Sequence, residues 1–149
     1  MTPLNLPAID AKIIISGGKK RILDLVRRKY VVLTPEEWVR QHFIQYLCGV
    51  LAYPKSLVKV ESGLKVNSLH KRSDILVHDR DGKPWMLVEC KAPDVKLDRK
   101  AFNQAAIYNM TIGARYVAVT NGLIHFCCET FGQGNAPEFL DAFPSFGKN

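Results

Sequence analysis

The sequence predicts one α/β domain in which a mixed central sheet is flanked by helices. Its 149 residues match the length of a single domain, and an apolar content of 47% is enough for one core. Two segments carry helix start and stop signals, and strand-like segments with turn residues lie between and after them. The order is helix, three strands, helix and strand pair, with residues 1–33 as a small β extension, 34–130 as the core and 131–149 as a tail.

The β extension combines a short apolar strand with a basic segment. Ile13–Ile15 is β-branched, the glycines at positions 17 and 18 favour a turn, and Arg21–Leu23 is predicted to pair back as a hairpin. The run of Arg27, Arg28 and Lys29 follows. Such a run is either a solvated face or a contact for phosphates, and the sequence leaves both interpretations open.

The first helix has a well-defined predicted start. Thr34 is its N-cap, Pro35 takes the first helical position, and Glu37 closes a capping box. The helix is predicted to run to about Cys48. Glu36 and Glu37 occupy the first turn, where the helix dipole favours negative charge, and this alone would explain them.

The central feature is a predicted hairpin of two strands, 74–78 and 85–91, around Asp81-Gly82. This dipeptide favours a two-residue turn with φ above zero at both positions. In that register His78 faces Trp85, Leu76 faces Leu87 and Asp74 faces Glu89. An Asp and a Glu directly opposite each other repel unless a positive charge lies between them.

A divalent cation is one way to satisfy that pair. Mg²⁺ is held by one or two carboxylates and keeps several waters and phosphate oxygens. Lys91 lies on the same strand face as Glu89, because side chains alternate, and could position a water. The alternative is an ordinary half-exposed sheet face, which also carries charged residues.

The remaining elements frame this hairpin. Leu57–Val66 is predicted as the preceding strand, with Glu61 either on a solvated face or as a further acid of the site. Asp98 is predicted to cap a second helix over Arg99–Thr111, closed by Gly113. The last strands, Arg115–Thr120 and Leu123–Cys128, are predicted to join at a two-residue Asn121-Gly122 turn. A short turn of helix near Pro137–Ala142 is expected in the tail.

Charge and cysteine usage narrow the class of function. Residues 1–73 carry 13 Lys and Arg against 5 Asp and Glu, a charge of +8, whereas residues 74–149 carry 8 against 9, a charge of −1. The basic half favours a polyanion, with nucleic acid as the expected partner. The four cysteines lack metal-site spacing and are expected to be buried thiols of a cytoplasmic protein, and no apolar run predicts a membrane span.

These residues also carry a family resemblance. Asp74 followed by Glu89-Cys90-Lys91 resembles the D…(D/E)xK signature of the restriction-endonuclease-like, or PD-(D/E)xK, nucleases. The segments LTPEEWVRQHF, YPKSLVKVE, RSDILVHDRDGKPWMLVECKAP and VAVTNG, together with the helix that carries Gln104 and Tyr108, resemble the N-terminal nuclease domain of type I restriction enzyme R subunits. The resemblance covers roughly residues 20 to 130 and implies an αβββαβ core.

The resemblance implies metal-dependent hydrolysis of DNA. Asp74, Glu89 and the backbone carbonyl of Cys90 would hold Mg²⁺, or Mn²⁺ in its place, and Lys91 would position the attacking water. An acid of the first helix, Glu36 or Glu37, would join them. Gln104 and Tyr108, spaced i, i+4, resemble the QxxxY pattern near the active site of some related nucleases; a packing tyrosine with an incidental Gln is the alternative.

The expected substrate contacts are cations together with the tyrosine of that helix: Tyr108, Arg40, Arg27, Arg28 and Lys29. The expected partners are DNA and other restriction-system subunits, with a homodimer left open. A motor of the R-subunit type is not expected, because the sequence contains no GxxxxGK[ST] motif. The alternatives are a non-catalytic nucleic-acid-binding or protein-interaction module on the same fold, and a nuclease that acts on RNA.

Overall fold

The computed structural model describes residues 1–66, 69–130 and 136–147, with side chains described outside 62–72. It shows the predicted mixed α/β class. Helix α1 spans Pro35–Gln45 and helix α2 spans Arg99–Ile112. Neither is long and apolar enough to cross a membrane, nor is any other helix in the described part of the chain.

A small antiparallel sheet forms the N-terminal extension. Its strands are β1 (Ile13–Ser16), β2 (Lys19–Asp24) and β3 (Lys29–Val32), in that order. Gly17 and Gly18 both have positive φ, 61° and 74°, so a two-residue turn of the primed type joins β1 to β2. The predicted pairing of Arg21–Leu23 with the first strand is confirmed, and β3 is an additional strand.

A six-stranded mixed sheet forms the core. Its strands lie in sequence order: β4 (Val58–Val66), β5 (Leu69–His78), β6 (Pro84–Cys90), β7 (Tyr116–Thr120), β8 (His125–Glu129) and β9 (Glu138–Phe139). Only the β6–β7 pair is parallel, and α2 provides the crossover between these strands. The predicted αβββαβ order is therefore confirmed as α1, β4, β5, β6, α2 and β7.

The two helices pack on opposite faces of this sheet. Val39 and Phe43 of α1 pack with Ile75 and Val88 on one face. Phe102 of α2 packs with residues of β7 and β8 on the other. Cys127 and Cys128 belong to opposite faces, and burial raises the pKa of these thiols to about 12 and about 11.

The helix ends largely follow the predictions. The Thr34 hydroxyl accepts from the Glu37 N–H at 3.0 Å, and Asp98 caps α2 in the same way. Gly113 ends α2 with a left-handed φ of 78°. Two details were wrong. Helix α1 ends at Gln45 and continues as a wider π turn over Tyr46–Val50, and the Glu37 carboxylate binds side chains instead of closing a capping box.

The turn of the central hairpin differs from the prediction. Only Gly82 has a positive φ, 80°, and the loop has three residues instead of two. Asp79 explains this, because its Oδ1 accepts the N–H groups of Asp81 and Lys83, both at 2.9 Å, and its carbonyl accepts that of Gly82. An aspartate that binds its own turn in this way closes a longer loop.

The longer loop also shifts the register beside it. A bulge between Val77 and His78 places His78 opposite Pro84, so the predicted pairing with Trp85 was wrong. Beyond the bulge the predicted pairing of Leu76 with Leu87 is confirmed. The shift therefore stays at the turn and does not reach the acidic end of the hairpin.

Two other predictions also needed correction. The β7–β8 connection is a four-residue loop, because Asn121 Oδ1 accepts the N–H groups of Leu123 and Ile124 and only Gly122 has a positive φ. In the tail, Glu138–Phe139 pairs with β8 as a strand instead of forming helix. Strand β5 begins at Leu69, before the predicted hairpin strand 74–78, and residues 67 and 68 lie outside the described residues.

Gly122 provides a test of how the N-terminal segment packs. A Cβ at this position would lie 2.7 Å from Leu4 and 3.1 Å from Val39, whereas a Cβ at Gly82 would meet nothing within 4 Å. Both glycines have a φ near 80°, so both alanine variants carry backbone strain. We expect Gly122→Ala to lower the unfolding free energy by about 1–3 kcal/mol more than Gly82→Ala, because only the former overpacks.

Urea denaturation of both variants measures the difference. Adding Leu4→Ala should recover part of the loss in Gly122→Ala and none in Gly82→Ala. Equal losses in the two glycine variants would contradict the described packing of Leu4.

Candidate functional site

Asp74 is fixed at the junction of the hairpin and α1. Its Oδ2 accepts the backbone N–H of Cys90 at 2.7 Å, and its Oδ1 accepts from Arg40 at 2.8 Å. Ile75 is paired with Val88, so Asp74 and Glu89 occupy the next positions along their strands. Asp74 therefore lies beside the Glu89-Cys90-Lys91 segment, as the sequence predicts.

The backbone of the neighbouring strand is irregular at this point. The β4–β5 ladder pairs Val60 with Ile75 and Ser62 with Ser73, and Glu61 between them has a φ of 51°. A left-handed φ is uncommon for a residue with a side chain and often marks a functional position. Here it accompanies a carboxylate that reaches Arg27 at 3.0 Å, so Glu61 does not lie on a plain solvated face.

Lys91 comes from the carboxyl end of the hairpin. Its backbone N–H donates to Thr120 at 2.8 Å, which ties it to the end of the parallel strand β7. Carboxyl ends of parallel strands meet at one edge of a sheet, where open α/β sheets commonly bind ligands. The ammonium of Lys91 is close enough to Glu36 for its charge to lower the pKa of that carboxyl.

The structure separates the two acids of the first helical turn, which the sequence could not. The Glu37 carboxylate is 7% exposed and accepts hydrogen bonds from Arg27, Arg40 and Gln41. The Glu36 carboxylate is 45% exposed and lies within electrostatic range of Asp74 and Lys91. Glu36 is therefore the acid of α1 that faces the candidate site, and Glu37 is part of the support beneath it.

The surroundings of Glu36 disfavour its charged form. Partial burial and the neighbouring Asp74 carboxylate raise its pKa, while Arg40, 3.6 Å away, and Lys91 oppose the shift. The net shift is upward. Carboxylates in this state gain from a further cation at the site.

A buried ion-pair network supports the acids. It consists of three acids, two arginines and one amide: Asp24, Glu37, Asp74, Arg27, Arg40 and Gln41. The Glu37 carboxylate accepts hydrogen bonds from Arg40 at 2.6 Å and from Arg27 at 3.0 Å. Although burial alone would lower the pKa of Arg40, the hydrogen bond to Asp74 and the charge of Glu37 raise it, so this guanidinium stays charged.

This network revises two of the expected substrate contacts. Arg27 and Arg40 are predicted to contact phosphates, but both are held in ion pairs inside the protein. Arg28 and Lys29 remain exposed beside them. Arg27 and Arg40 thus position carboxylates, since their donors are directed at Asp24, Glu37 and Asp74.

Helix α2 presents its predicted pair in two different environments. Gln104 is exposed, whereas Tyr108 is 4% exposed and packs against Leu76 and Leu87. The Ser73 hydroxyl donates to the Tyr108 oxygen at 3.3 Å. Tyr108 is therefore a buried residue that contacts Ser73, the neighbour of Asp74, and is not an exposed substrate contact.

Sequence reasoning missed Asp24 and Gln41. Asp24 is fully buried at the end of β2, and Gln41 donates to it at 2.9 Å. Burial by itself would raise the pKa of Asp24, but hydrogen bonds from the Arg27 backbone, Gln41 and the Arg27 side chain lower it. A lone acid three residues before an arginine was the available signal, and it gave no indication of burial.

Metal binding by side chains alone is not evident. Among the described residues, no three His, Cys, Asp or Glu side chains come together as a metal-holding group. The donors that the sequence assigns to the ion, Asp74, Glu89 and the backbone carbonyl of Cys90, are oxygen atoms, the ligand type that Mg²⁺ prefers while it retains waters.

Comparison with known proteins gives one family match. The family model described as "Type I restriction enzyme R protein N terminus (HSDR_N)" matches residues 35–144. The matched region runs from α1 to the tail and includes Asp74, Glu89 and Lys91. A search of curated proteins found no match.

Removal of the Glu37 charge tests the ion-pair network. Glu37→Gln keeps the size of the side chain and removes the charge between two buried arginines, so it should lower the unfolding free energy by about 3 kcal/mol or more. The matched control is Glu129→Gln, whose partner Arg115 is 2.7 Å away and 40% exposed. The control should cost about 1 kcal/mol or less, because solvent screens exposed pairs.

Chemical denaturation in urea at neutral pH measures both variants. Similar small losses in the two would show that Glu37 does not hold the network together. A large loss confined to Glu37→Gln is the expected result.

The raised pKa of Glu36 predicts how the stability of the protein depends on pH. The folded state raises the pKa of Glu36, so it binds this proton more tightly than the unfolded chain does, and ionisation of Glu36 lowers stability as pH rises through that range. Relative to wild type, Glu36→Gln should therefore gain stability at pH 7. The gain should vanish below the ordinary glutamate pKa, where the wild-type carboxyl is also neutral.

Thermal midpoints of the two proteins between pH 3 and pH 8 test this. A difference between them that is constant with pH, or that grows as pH falls, would contradict the assigned surroundings of Glu36.

Proposed function

Because the chain belongs to the type I restriction enzyme R protein N terminus family, we propose that it is a nuclease domain that hydrolyses DNA phosphodiester bonds with a divalent metal ion. The hydrogen bond from Cys90 N–H to Asp74 is the observation that carries the proposal. It sets the first acid of the D…(D/E)xK signature against the second half of that signature. Glu36 adds a third carboxylate from α1.

Asp74, Glu89 and the Cys90 carbonyl would hold Mg²⁺, or Mn²⁺, with Glu36 beside them. When bound, such an ion polarises the phosphate and lowers the pKa of a bound water. The raised pKa of Glu36 supports this assignment, because burial and a neighbouring carboxylate leave the acids in need of positive charge.

The side chains of this site then have distinct roles. Lys91 would orient the attacking water and offset charge that develops on the phosphate. Arg40 fixes Asp74 through one oxygen while Cys90 N–H fixes the other, so the carboxylate keeps one orientation. Gln104, exposed on α2, would steer the DNA.

The second candidate is a non-catalytic module that binds nucleic acid or another restriction-system subunit. One observation favours it: Arg40 already supplies a positive charge to Asp74 at 2.8 Å and to Glu37 at 2.6 Å. If that charge is sufficient, the acids are structural and need no metal. DNA and restriction-system subunits are the proposed partners in both cases.

Two measurements test the proposal. We expect Mg²⁺ or Mn²⁺ to promote cleavage of duplex DNA, and to raise the thermal midpoint of the wild-type protein. Lys91→Ala should lose cleavage by a factor of about 10² or more and keep the metal-dependent thermal shift, because the lysine is not a ligand. Asp74→Asn should lose both, because it removes a ligand charge.

The control is Lys83→Ala, which removes an exposed lysine at the far end of the hairpin. Cleavage that survives both site substitutions would rule out the assigned roles. DNA binding in EDTA without any metal-dependent thermal shift would instead support the non-catalytic module.

A further inference from the structure

The small N-terminal sheet carries most of the net charge of the chain. Residues 12–32 contain seven Lys and Arg against one Asp, a charge of +6 out of the total of +7. Arg27 is paired with Asp24. The other six form no ion pair within the described part of the chain: Lys12, Lys19, Lys20, Arg21, Arg28 and Lys29.

Strand pairing assigns these residues to two faces. Ile22 and Asp24 lie on one face of β2 and are buried against the core. Arg21 is paired with Ile14 and Val32, and Leu23 with Tyr30, so these side chains lie on the opposite face. We call this opposite face the outer face; its members are exposed or half-buried and are Lys12, Ile14, Lys19, Arg21, Leu23, Tyr30 and Val32.

We propose that the outer face binds the phosphate backbone of duplex DNA. Cations without an ion-pair partner in the described part of the chain, arranged along one face of a β-sheet, attract a polyanion and release its counterions. The alternative is that the apolar residues of the outer face bind a second copy of this chain. The charge argues against it, because two copies would set three cations, Lys12, Lys19 and Arg21, against the same three.

The attachment of the sheet supports this role. A continuous chain of ion pairs runs from Asp24 at the end of β2 through Arg27, Glu37 and Arg40 to Asp74. The sheet is thus anchored to the same helix that supplies Glu36 to the candidate site. The surface that would hold DNA is therefore fixed in position relative to α1.

The outer face also lies outside the region that the family model matches. The family match begins at residue 35, after the end of β3 at Val32. The inference extends the proposed function, because it names the surface that would hold the substrate. Binding by this surface requires neither a metal nor Lys91, so the two proposals can fail separately.

The experiment measures binding of a fluorescent duplex by anisotropy in EDTA, over a range of NaCl concentrations. The test variant is Lys12→Gln/Lys19→Gln/Arg21→Gln. The matched control is Lys55→Gln/Lys83→Gln/Lys96→Gln, which removes three exposed cations from elsewhere on the surface. Thermal midpoints verify that both variants are folded.

We expect the test variant to bind at least tenfold more weakly than wild type. Its plot of log affinity against log salt should also be shallower by about 3, since each lost phosphate contact removes about 0.9 from the slope. The control should bind like wild type. Equal loss in the two triple variants would overturn the proposal, as would a wild-type dimer that Ile14→Asp dissociates while DNA binding is unchanged.

Discussion

A glutamate held between two buried arginines is the constraint on which the rest of this structure depends. Glu37 receives Arg40 at 2.6 Å and Arg27 at 3.0 Å, with only 7% of its side chain exposed. Charges removed from water in this way are costly unless each has partners. Each does: Arg27 also binds Asp24, and Arg40 also binds Asp74. One acid of α1 therefore links the small sheet, the helix and the central hairpin.

The same network explains why neighbouring acids in one helical turn have different surroundings. The Glu37 carboxylate points into the network, where arginines balance its charge. The Glu36 carboxylate faces Asp74 and Lys91, and its pKa is raised. The arginines thus balance the charge of Glu37 and fix the orientation of Asp74 beneath the candidate site.

Much of the fold followed from local sequence signals. The caps at Thr34, Asp98 and Gly113, and the pairing of Leu76 with Leu87, depend on residues close in sequence or on simple alternation. The two turn predictions were wrong because the side chains of Asp79 and Asn121 each accept backbone N–H groups that follow them in the chain. These hydrogen bonds compete with a two-residue turn.

The site was predictable in part for a similar reason. Asp74 and the Glu89–Lys91 segment are joined by hairpin register, which the sequence encodes. The roles of Arg27 and Arg40 could not be predicted from the sequence. An ion pair between residues 34 positions apart, such as Arg40 with Asp74, leaves no local sequence pattern. The choice between Glu36 and Glu37 likewise needed the direction in which each side chain leaves the helix.

The anchoring of Asp24 and Arg27 bears on where this domain begins as a physical unit. Homology starts at residue 35, yet Arg27 is one of the two cations that neutralise Glu37, and Asp24 accepts from both Arg27 and Gln41. A fragment trimmed to the start of the match would leave Glu37 without Arg27 and Gln41 without Asp24. The structural unit therefore extends beyond the matched region and includes the preceding small sheet.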